Sequence, residues 1–248
     1  MIRPKIIVVL PALNEESTVS IVVKEVRAAV PDATVLVVDD GSVDRTGELA
    51  LGAGAQVVTN PFNLGVGGAM RVGFRVAEAQ GYDVLLQVDA DGQHDARDIG
   101  LLLAAFDDEP GPQVVIGARF AGQDYIAVPR ARRAAMWILA RYLSRVTRTR
   151  LTDVTSGFRA HNRAAIELFA RSYPADYLAD TIASLIIVSD AGGRVHQVAV
   201  TMRPRLAGFP SQSPARAALY LLRVVLFLAL SVFRRHSQYT RPPKTEEQ

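Results

Sequence analysis

The sequence predicts an α/β fold, a mostly parallel sheet flanked by helices. Short apolar runs recur early in the chain and alternate with stretches whose apolar residues fall at helical spacing. The runs are continuous rather than alternating, as a strand buried on both faces requires. Each run ends in a polar cluster, and open parallel sheets place their ligands outside the carboxyl ends of the strands.

The elements follow in order. Residues 5–10 form a buried strand. Residues 14–30 read as a helix with Val19, Val22, Val23, Val26 and Val30 on one face, ended by Pro31 and Asp32. Residues 34–38 form a second strand that runs into Asp39, Asp40, Gly41 and Ser42. A helix over about 44–53 and a short strand over 56–58 come next. Gly65, Gly67 and Gly68 open a helix over 65–80, and residues 83–88 form the fourth strand. Helices are expected over 99–106, 131–146, 163–170 and 181–191, with strands over 113–116 and 194–202, a polar turn over 152–158 and a Pro-rich loop over 203–214. Residues 217–233 are apolar but interrupted by Arg223. A bilayer span needs about 20 clean apolar residues, so this helix is expected to lie in a membrane interface or to close the core. The expected organisation is one domain over 1–214, with halves 1–120 and 121–214. An amphipathic helix over 215–236 and a disordered polar tail over 237–248 follow it.

With 49% hydrophobic and 21% charged residues in 248, a sizeable core is available. There is no cysteine, which excludes disulfides, thiolate metal sites and Cys nucleophiles. The apolar stretch before Pro11 is too short for a secretory signal, and a cytoplasmic location is expected. The net charge of +3 is modest, and arginines cluster late in the chain. That distribution suits phosphate or an anionic membrane surface. No nucleic-acid partner is expected, and a homo-oligomer is compatible with the composition.

The most informative motif is Asp89-Ala90-Asp91-Gly92-Gln93-His94. In an extended segment, residues i and i+2 point the same way, so both carboxylates can face one point past the fourth strand. Mg²⁺ or Mn²⁺ takes such oxygen donors and shares them with substrate phosphates. Gln93 adds a neutral oxygen, and His94 either orients phosphate or sits at the rim. In Asp39-Asp40-Gly41-Ser42-Val43-Asp44, Ser42 or Asp44 can cap the next helix, and Asp40 either shares that structural work or accepts hydrogen bonds from a nucleobase or ribose. In Pro11-Ala12-Leu13-Asn14-Glu15, Asn14 can cap a helix, and Glu15 either complements its dipole or binds ribose hydroxyls. The turn Asn63-Leu64-Gly65-Val66-Gly67-Gly68 lacks the Lys-Ser/Thr ending of a triphosphate loop. Asp153-Val154-Thr155-Ser156-Gly157-Phe158-Arg159 either positions an acceptor or is ordinary turn chemistry. Asp180 either caps its helix or serves the reaction.

Taken together, these residues resemble inverting family-2 glycosyltransferases of the GT-A (Rossmann-like) fold, especially the dolichol- or polyprenyl-phosphate mannosyl- and glucosyltransferases. The matching segments are 9–16, 38–46, Asn63 with Gly65 and Gly67, Asp89 to His94, and Thr155 to Arg159. The resemblance implies metal-dependent transfer of a hexose from a GDP- or UDP-sugar to a polyprenyl phosphate at a membrane surface. Pro11, Leu13 and Glu15 match positions that hold the nucleoside, and Val38 and Asp40 match positions flanking the base. Asp89, Ala90 and Asp91 match the diphosphate and metal motif, with Gln93 as a further metal ligand. Arg119 matches an arginine near the donor and the acceptor phosphate, and Arg205 matches a basic residue that closes over the diphosphate. Arg119, Arg132, Arg133, Ser156 and Arg159 are the candidate contacts to an acceptor phosphate. The pattern departs from the family at Leu13, where an aromatic is common, and at Ser211, where the family loop usually carries a Lys. Asp180 is the candidate for a carboxylate near the acceptor.

An anionic lipid phosphate needs little help from a base, whereas a hydroxyl acceptor makes Asp153 or Asp180 essential. Alternatives to the lipid acceptor are a small soluble hydroxyl acceptor, a non-catalytic nucleotide-sugar-binding subunit, and a nucleotidyltransferase. The last is disfavoured because Pro11-Ala12-Leu13-Asn14 stands where a Gly-rich loop belongs.

Overall fold

The computed structural model describes residues 3–108, 110–119, 130–174 and 179–204. Seven strands form one sheet, with β1 (Ile6–Ala12), β2 (Thr34–Asp39), β3 (Gln56–Thr59), β4 (Val84–Gln87), β5 (Val114–Arg119), β6 (Arg159–Asn162) and β7 (Val195–Val200) in the order β3-β2-β1-β4-β6-β5-β7. All pairs are parallel except those of β6, which runs antiparallel to both β4 and β5. The carboxyl ends of β1, β2, β3, β4, β5 and β7 therefore share one edge. The residue that opens β6, Arg159, pairs with Gln87 at the end of β4 and brings the preceding turn to that same edge.

Helices cover both faces because the strands are apolar on both. On one face, α1 (Val19–Ala29), α2 (Thr46–Gly52) and α4 (Ile99–Ala104) pack against Val8, Leu10, Val35, Val37 and Leu86. On the other lie α3 (Gly65–Ala79), α6 (Arg163–Ser172) and α7 (Ala179–Asp190). There Phe74, Phe169, Tyr173 and His161 form a buried ring cluster with centroids 4.8–5.6 Å apart. Such pairs add about 0.5–1.5 kcal/mol each beyond their area. Helix α5 (Arg130–Val146) packs on α7. Among the described residues, no helix is long and apolar enough to cross a membrane.

Two elements differ from expectation. The first helix begins at Val19, not at residue 14. Asn14 adopts φ 54° and caps nothing. Its backbone N–H donates to Ser42 Oγ (3.0 Å), and its Oδ1 accepts from Val43 N (2.9 Å). Strand β6 was not anticipated at all. Arg159-Ala160-His161-Asn162 has no β-branched residue, and pairing on both sides overrides that weak local preference. The expected 215–236 helix and 237–248 tail lie outside the described residues.

Candidate active site

The shared sheet edge gathers the polar motifs. Gly92 has φ 74°, a conformation open to glycine at little cost, and it lets Gln93 N turn back to donate to Asp91 Oδ1 (3.0 Å). Asp91 is 6% exposed and Ala90 is buried beside it. The Asp89 side chain is 37% exposed, and its Oδ2 lies 3.0 Å from His94 Nε2. His94 is buried and stacks on Phe158, with centroids 5.0 Å apart and planes at 26°. It is therefore neither at the rim nor a ready phosphate contact.

Two further features bear on a cation at this motif. A Cβ added at Gly157 would stand 2.8 and 2.9 Å from the two Asp89 oxygens, so the turn over 153–158 approaches the carboxylate as closely as a bare glycine allows. Among the described residues no group of three or more His, Asp or Glu side chains is placed to hold a metal ion by itself. Two carboxylates completed by substrate phosphates is the arrangement that Mg²⁺ commonly takes, and the all-oxygen donors suit Mg²⁺ or Mn²⁺. Residues 90–92 form a turn rather than an extended segment, so the expected alternation of Asp89, Asp91 and Gln93 does not hold, and it is the donor chemistry, two carboxylates and an amide oxygen on one short turn, that fits such an ion.

The loops after β1 and β2 are laced together. Glu15 N donates to Thr46 Oγ1 (2.8 Å), Glu16 N to Asp44 Oδ2 (3.2 Å), and Arg45 N to Glu16 Oε2 (3.2 Å). Glu15 Oε2 accepts from Thr18 Oγ1 (2.9 Å). Asp44 meets the capping expectation, its Oδ1 accepting from Thr46 N (3.0 Å) at the start of α2, while Arg45 at the N-cap position makes no side-chain bond and Ser42 Oγ instead accepts from Asn14 N. Asp40 is 3% exposed and accepts from Asn60 Nδ2 (2.8 Å), Leu64 N (2.9 Å) and Gly65 N (2.7 Å). Its structural task is to anchor the Gly-rich turn, which leaves at most one lone-pair direction for a base. Pro11 and Val38 are buried in the strand ends, and Leu13 is half-buried above them.

The turn over 153–159 is built differently from expectation. Arg159 has 0% exposure. It donates from Nε to Ser156 O (2.9 Å), from Nη1 to Thr181 O and Ser184 Oγ (3.0 Å each), and from Nη2 to Val154 O (3.0 Å). Four of its five N–H groups are consumed, so it ties the turn to α7 and does not face an acceptor phosphate. Ser156 is likewise turned inward, donating to Gly117 O (2.6 Å) and accepting from Phe158 N (3.2 Å). Asp153 is buried and accepts from Thr155 N and Oγ1. Asp180, in the first turn of α7, is 3% exposed. Burial pushes its carboxyl up to about 6, and the Asp89 charge adds to this while Arg159 opposes it.

Sequence reasoning missed one cation. Arg203 donates from Nη1 to both oxygens of Glu25 (3.0 and 2.9 Å), and its Nη2 lies 2.8 Å from Asp95 Oδ1. Its own N–H donates to Gln93 O (2.8 Å). Arg97, followed by Arg203, holds the Asp95 carboxyl well below its usual range. The exit of β7 is thereby fastened to the Asp89–His94 motif. Glu25 lies 178 residues away in sequence, so no local signal marks the pair. Arg119 closes β5 at the same edge, and Arg132 and Arg133 sit in the first turn of α5, but their side chains lie outside the described residues, as does Arg205 entirely.

Comparison with known proteins gives a consistent picture. The undecaprenyl-phosphate mannosyltransferase of Micrococcus luteus is 34% identical over 163 residues, 63% of this chain and 66% of that protein. The polyprenol monophosphomannose synthase of Mycolicibacterium smegmatis is 34% identical over 175 residues, 67% and 65%. The chain thus spans just under two thirds of the length of both relatives. The crystal structure of glucosyl-3-phosphoglycerate synthase from Mycobacterium tuberculosis with Mn²⁺, UDP and glucosyl-3-phosphoglycerate superposes with a TM-score of 0.70 at 24% identity, over 92% of this chain and 79% of that one. It shares the GT-A fold. The model of glycosyl transferase family 2 matches residues 7–169, which contain the site residues named above except Asp180, Arg203 and Arg205. The chain is a glycosyltransferase and belongs to family 2.

Proposed function

We propose that the chain transfers a hexose, mannose or glucose, from a nucleoside-diphosphate sugar to a polyprenyl phosphate, with inversion and with Mg²⁺ or Mn²⁺. The observation that carries this reading is the seating of the 153–158 turn against the Asp89 carboxylate, which joins the donor motif to the acceptor side at one sheet edge. The names of the curated relatives supply the acceptor class. In this reading residues 1–120 hold the donor, with Pro11, Leu13, Glu15, Val38 and Asp40 around the nucleoside. Residues 121–214 hold the acceptor. Asp89, Asp91 and Gln93 hold the cation, and Arg119 and Arg205 answer the phosphates. The chemistry the cation supplies is neutralisation of the charge that builds on the departing nucleoside diphosphate. The protein keeps Asp91 buried and bonded, so its carboxylate is pre-set rather than reorganised during transfer.

The surface beside the acceptor turn supports action at an anionic membrane. A groove of about 830 Å³ runs along α5 and is lined by Trp137, Arg141, Arg145, Arg148 and Arg150. Trp137 is 64% and Ile138 53% exposed, and Arg141 lies over the Trp137 ring at 5.9 Å. Tryptophan favours the headgroup level, and each arginine near an anionic surface contributes about 1 kcal/mol.

A second reading is favoured by one observation. Asp180 is a buried carboxylate in the first turn of α7 with its pKa pushed up to about 6, suited to serve as base for a hydroxyl acceptor. The deciding experiment is a screen of radiolabelled GDP- and UDP-hexoses with polyprenyl phosphate and with phosphoglycerate. Label extracted into organic solvent supports the lipid acceptor, label confined to an aqueous phosphosugar supports the second reading, and label in neither product overturns both.

A further inference from the structure

We propose that His94 is a positioning residue that fixes the Asp89 carboxylate for the metal and, through its stack on Phe158, ties the metal motif to the acceptor turn. The inference rests on the metal reading of Asp89 and Asp91.

Three observations carry it. His94 Nε2 lies 3.0 Å from Asp89 Oδ2, so the ring makes a direct contact with the carboxylate. The ring has no freedom to leave, being 4% exposed and stacked on Phe158, which is itself fully buried. Phe158 in turn presses on Gly117 at the end of β5, where an added Cβ would stand 2.8 Å from the phenyl ring. Finally, His94 Nδ1 is buried with no hydrogen-bond partner among the described residues. A proton there would be a stranded donor, a rarer defect than an unused acceptor. The tautomer that fits is the one with the proton on Nε2, aimed at Asp89.

Metal ligands are commonly oriented by such outer partners, and losing one typically costs 10–100-fold in metal affinity or activity. Asp89 needs one because its side chain is more than a third exposed, whereas Asp91 is buried and held by its own turn. The bond to His94 and the close approach of Gly157 confine the Asp89 carboxylate from two contacts. The stack then transmits that constraint to the residues flanking Gly157.

The test uses the full chain with three variants. His94→Phe keeps a ring to stack on Phe158 and removes the N–H. His94→Gln returns an N–H near the position of Nε2. Asp91→Asn is the control for the site itself. Mn²⁺ binding is titrated by electron paramagnetic resonance in the presence of UDP and of GDP, alongside thermal melting and donor kinetics. The expected result is at least tenfold weaker Mn²⁺ binding in His94→Phe with its melting temperature near that of the parent, and recovery of most of the affinity in His94→Gln. A purely packing role predicts the reverse, with stability following the ring and Mn²⁺ affinity unmoved. If Asp91→Asn loses Mn²⁺ while His94→Phe binds like the parent, this inference fails and the metal site stands. If Asp91→Asn also binds like the parent, the metal reading itself falls.

Discussion

Gly157→Ala isolates the contact between the 153–158 turn, proposed to face the acceptor, and the Asp89 carboxylate, proposed to hold the metal. The added methyl carbon would lie 2.8 Å from Asp89 Oδ1, 2.9 Å from Oδ2 and 3.2 Å from Cγ, whereas ordinary contact begins at 3.4 Å. The carboxylate must therefore retreat by about 0.6 Å, against the 0.5 Å within which a functional constellation has to be held. The same carboxylate is bonded to His94, so the retreat breaks that bond or drags a ring wedged on Phe158. A misplacement of about 1 Å costs about 100-fold in rate, and the smaller shift here predicts a fall of about 10–100-fold in kcat/KM for the donor. Stability changes much less. The displaced atoms are the end of a partly exposed side chain, and Gly→Ala at a compatible backbone returns about 0.4–1 kcal/mol through the unfolded state. The melting temperature is expected within about 4 °C of the parent. The assay is hexose transfer across a Mn²⁺ titration, with melting measured in parallel. A variant that keeps parental kcat/KM and Mn²⁺ half-saturation would refute the argument that this turn and Asp89 share one space.

Other consequences follow from the same contacts. Asp180 has its folded pKa raised to about 6 from 3.8, so its contribution is fully present below pH 3.8 and is lost as pH rises through 6. Asp180→Asn is accordingly expected to be more stable than the parent at pH 7.5, by up to about 3 kcal/mol, with the gain vanishing near pH 3.5 in denaturant titrations. In transfer assays, loss of activity in that variant but not in Asp153→Asn marks a hydroxyl acceptor served by Asp180, and retention in both fits a lipid phosphate. His161 is buried beside Arg159, and its pKa is pushed down to about 3, first by burial and then by that charge. Its stabilisation is present above pH 6.5 and is lost as pH falls through 3, a window of about 5 kcal/mol, so His161→Phe should flatten stability against pH between 6.5 and 3.5. Finally, Trp137→Ala combined with Arg145→Gln should weaken co-sedimentation with phosphatidylglycerol vesicles several-fold in low salt while leaving neutral vesicles unaffected.

Much of the fold is legible because continuous apolar runs and valine spacing act locally, as in β1, β2 and α1. What escaped depends on distant partners. Nothing in Arg159-Ala160-His161-Asn162 reads as a strand, yet β4 and β5 make it one. The motif residues were legible, but some of their tasks were not. Asp40 is taken up by Asn60 and the Gly-rich turn, and Arg159 by carbonyls of its own turn and α7. Residue type marks both as polar and special, while burial and these partners tie Arg159 to the scaffold and leave Asp40 one lone-pair direction beyond its anchoring of the Gly-rich turn. For His94 the sequence offered phosphate or rim, and its contact with Asp89 depends on the stack with Phe158, 64 positions away in sequence and carrying no local signal.

The central claim is that a divalent cation sits at the tip of β4 between Asp89, Asp91 and a donor diphosphate. Crystals grown with Mn²⁺ and a bound nucleoside diphosphate, examined by anomalous scattering, test it directly. The account predicts a manganese peak about 2.0–2.6 Å from carboxylate oxygens of that motif, touching the diphosphate. A nucleotide bound with no peak at the motif, or with manganese at another set of side chains, would contradict it.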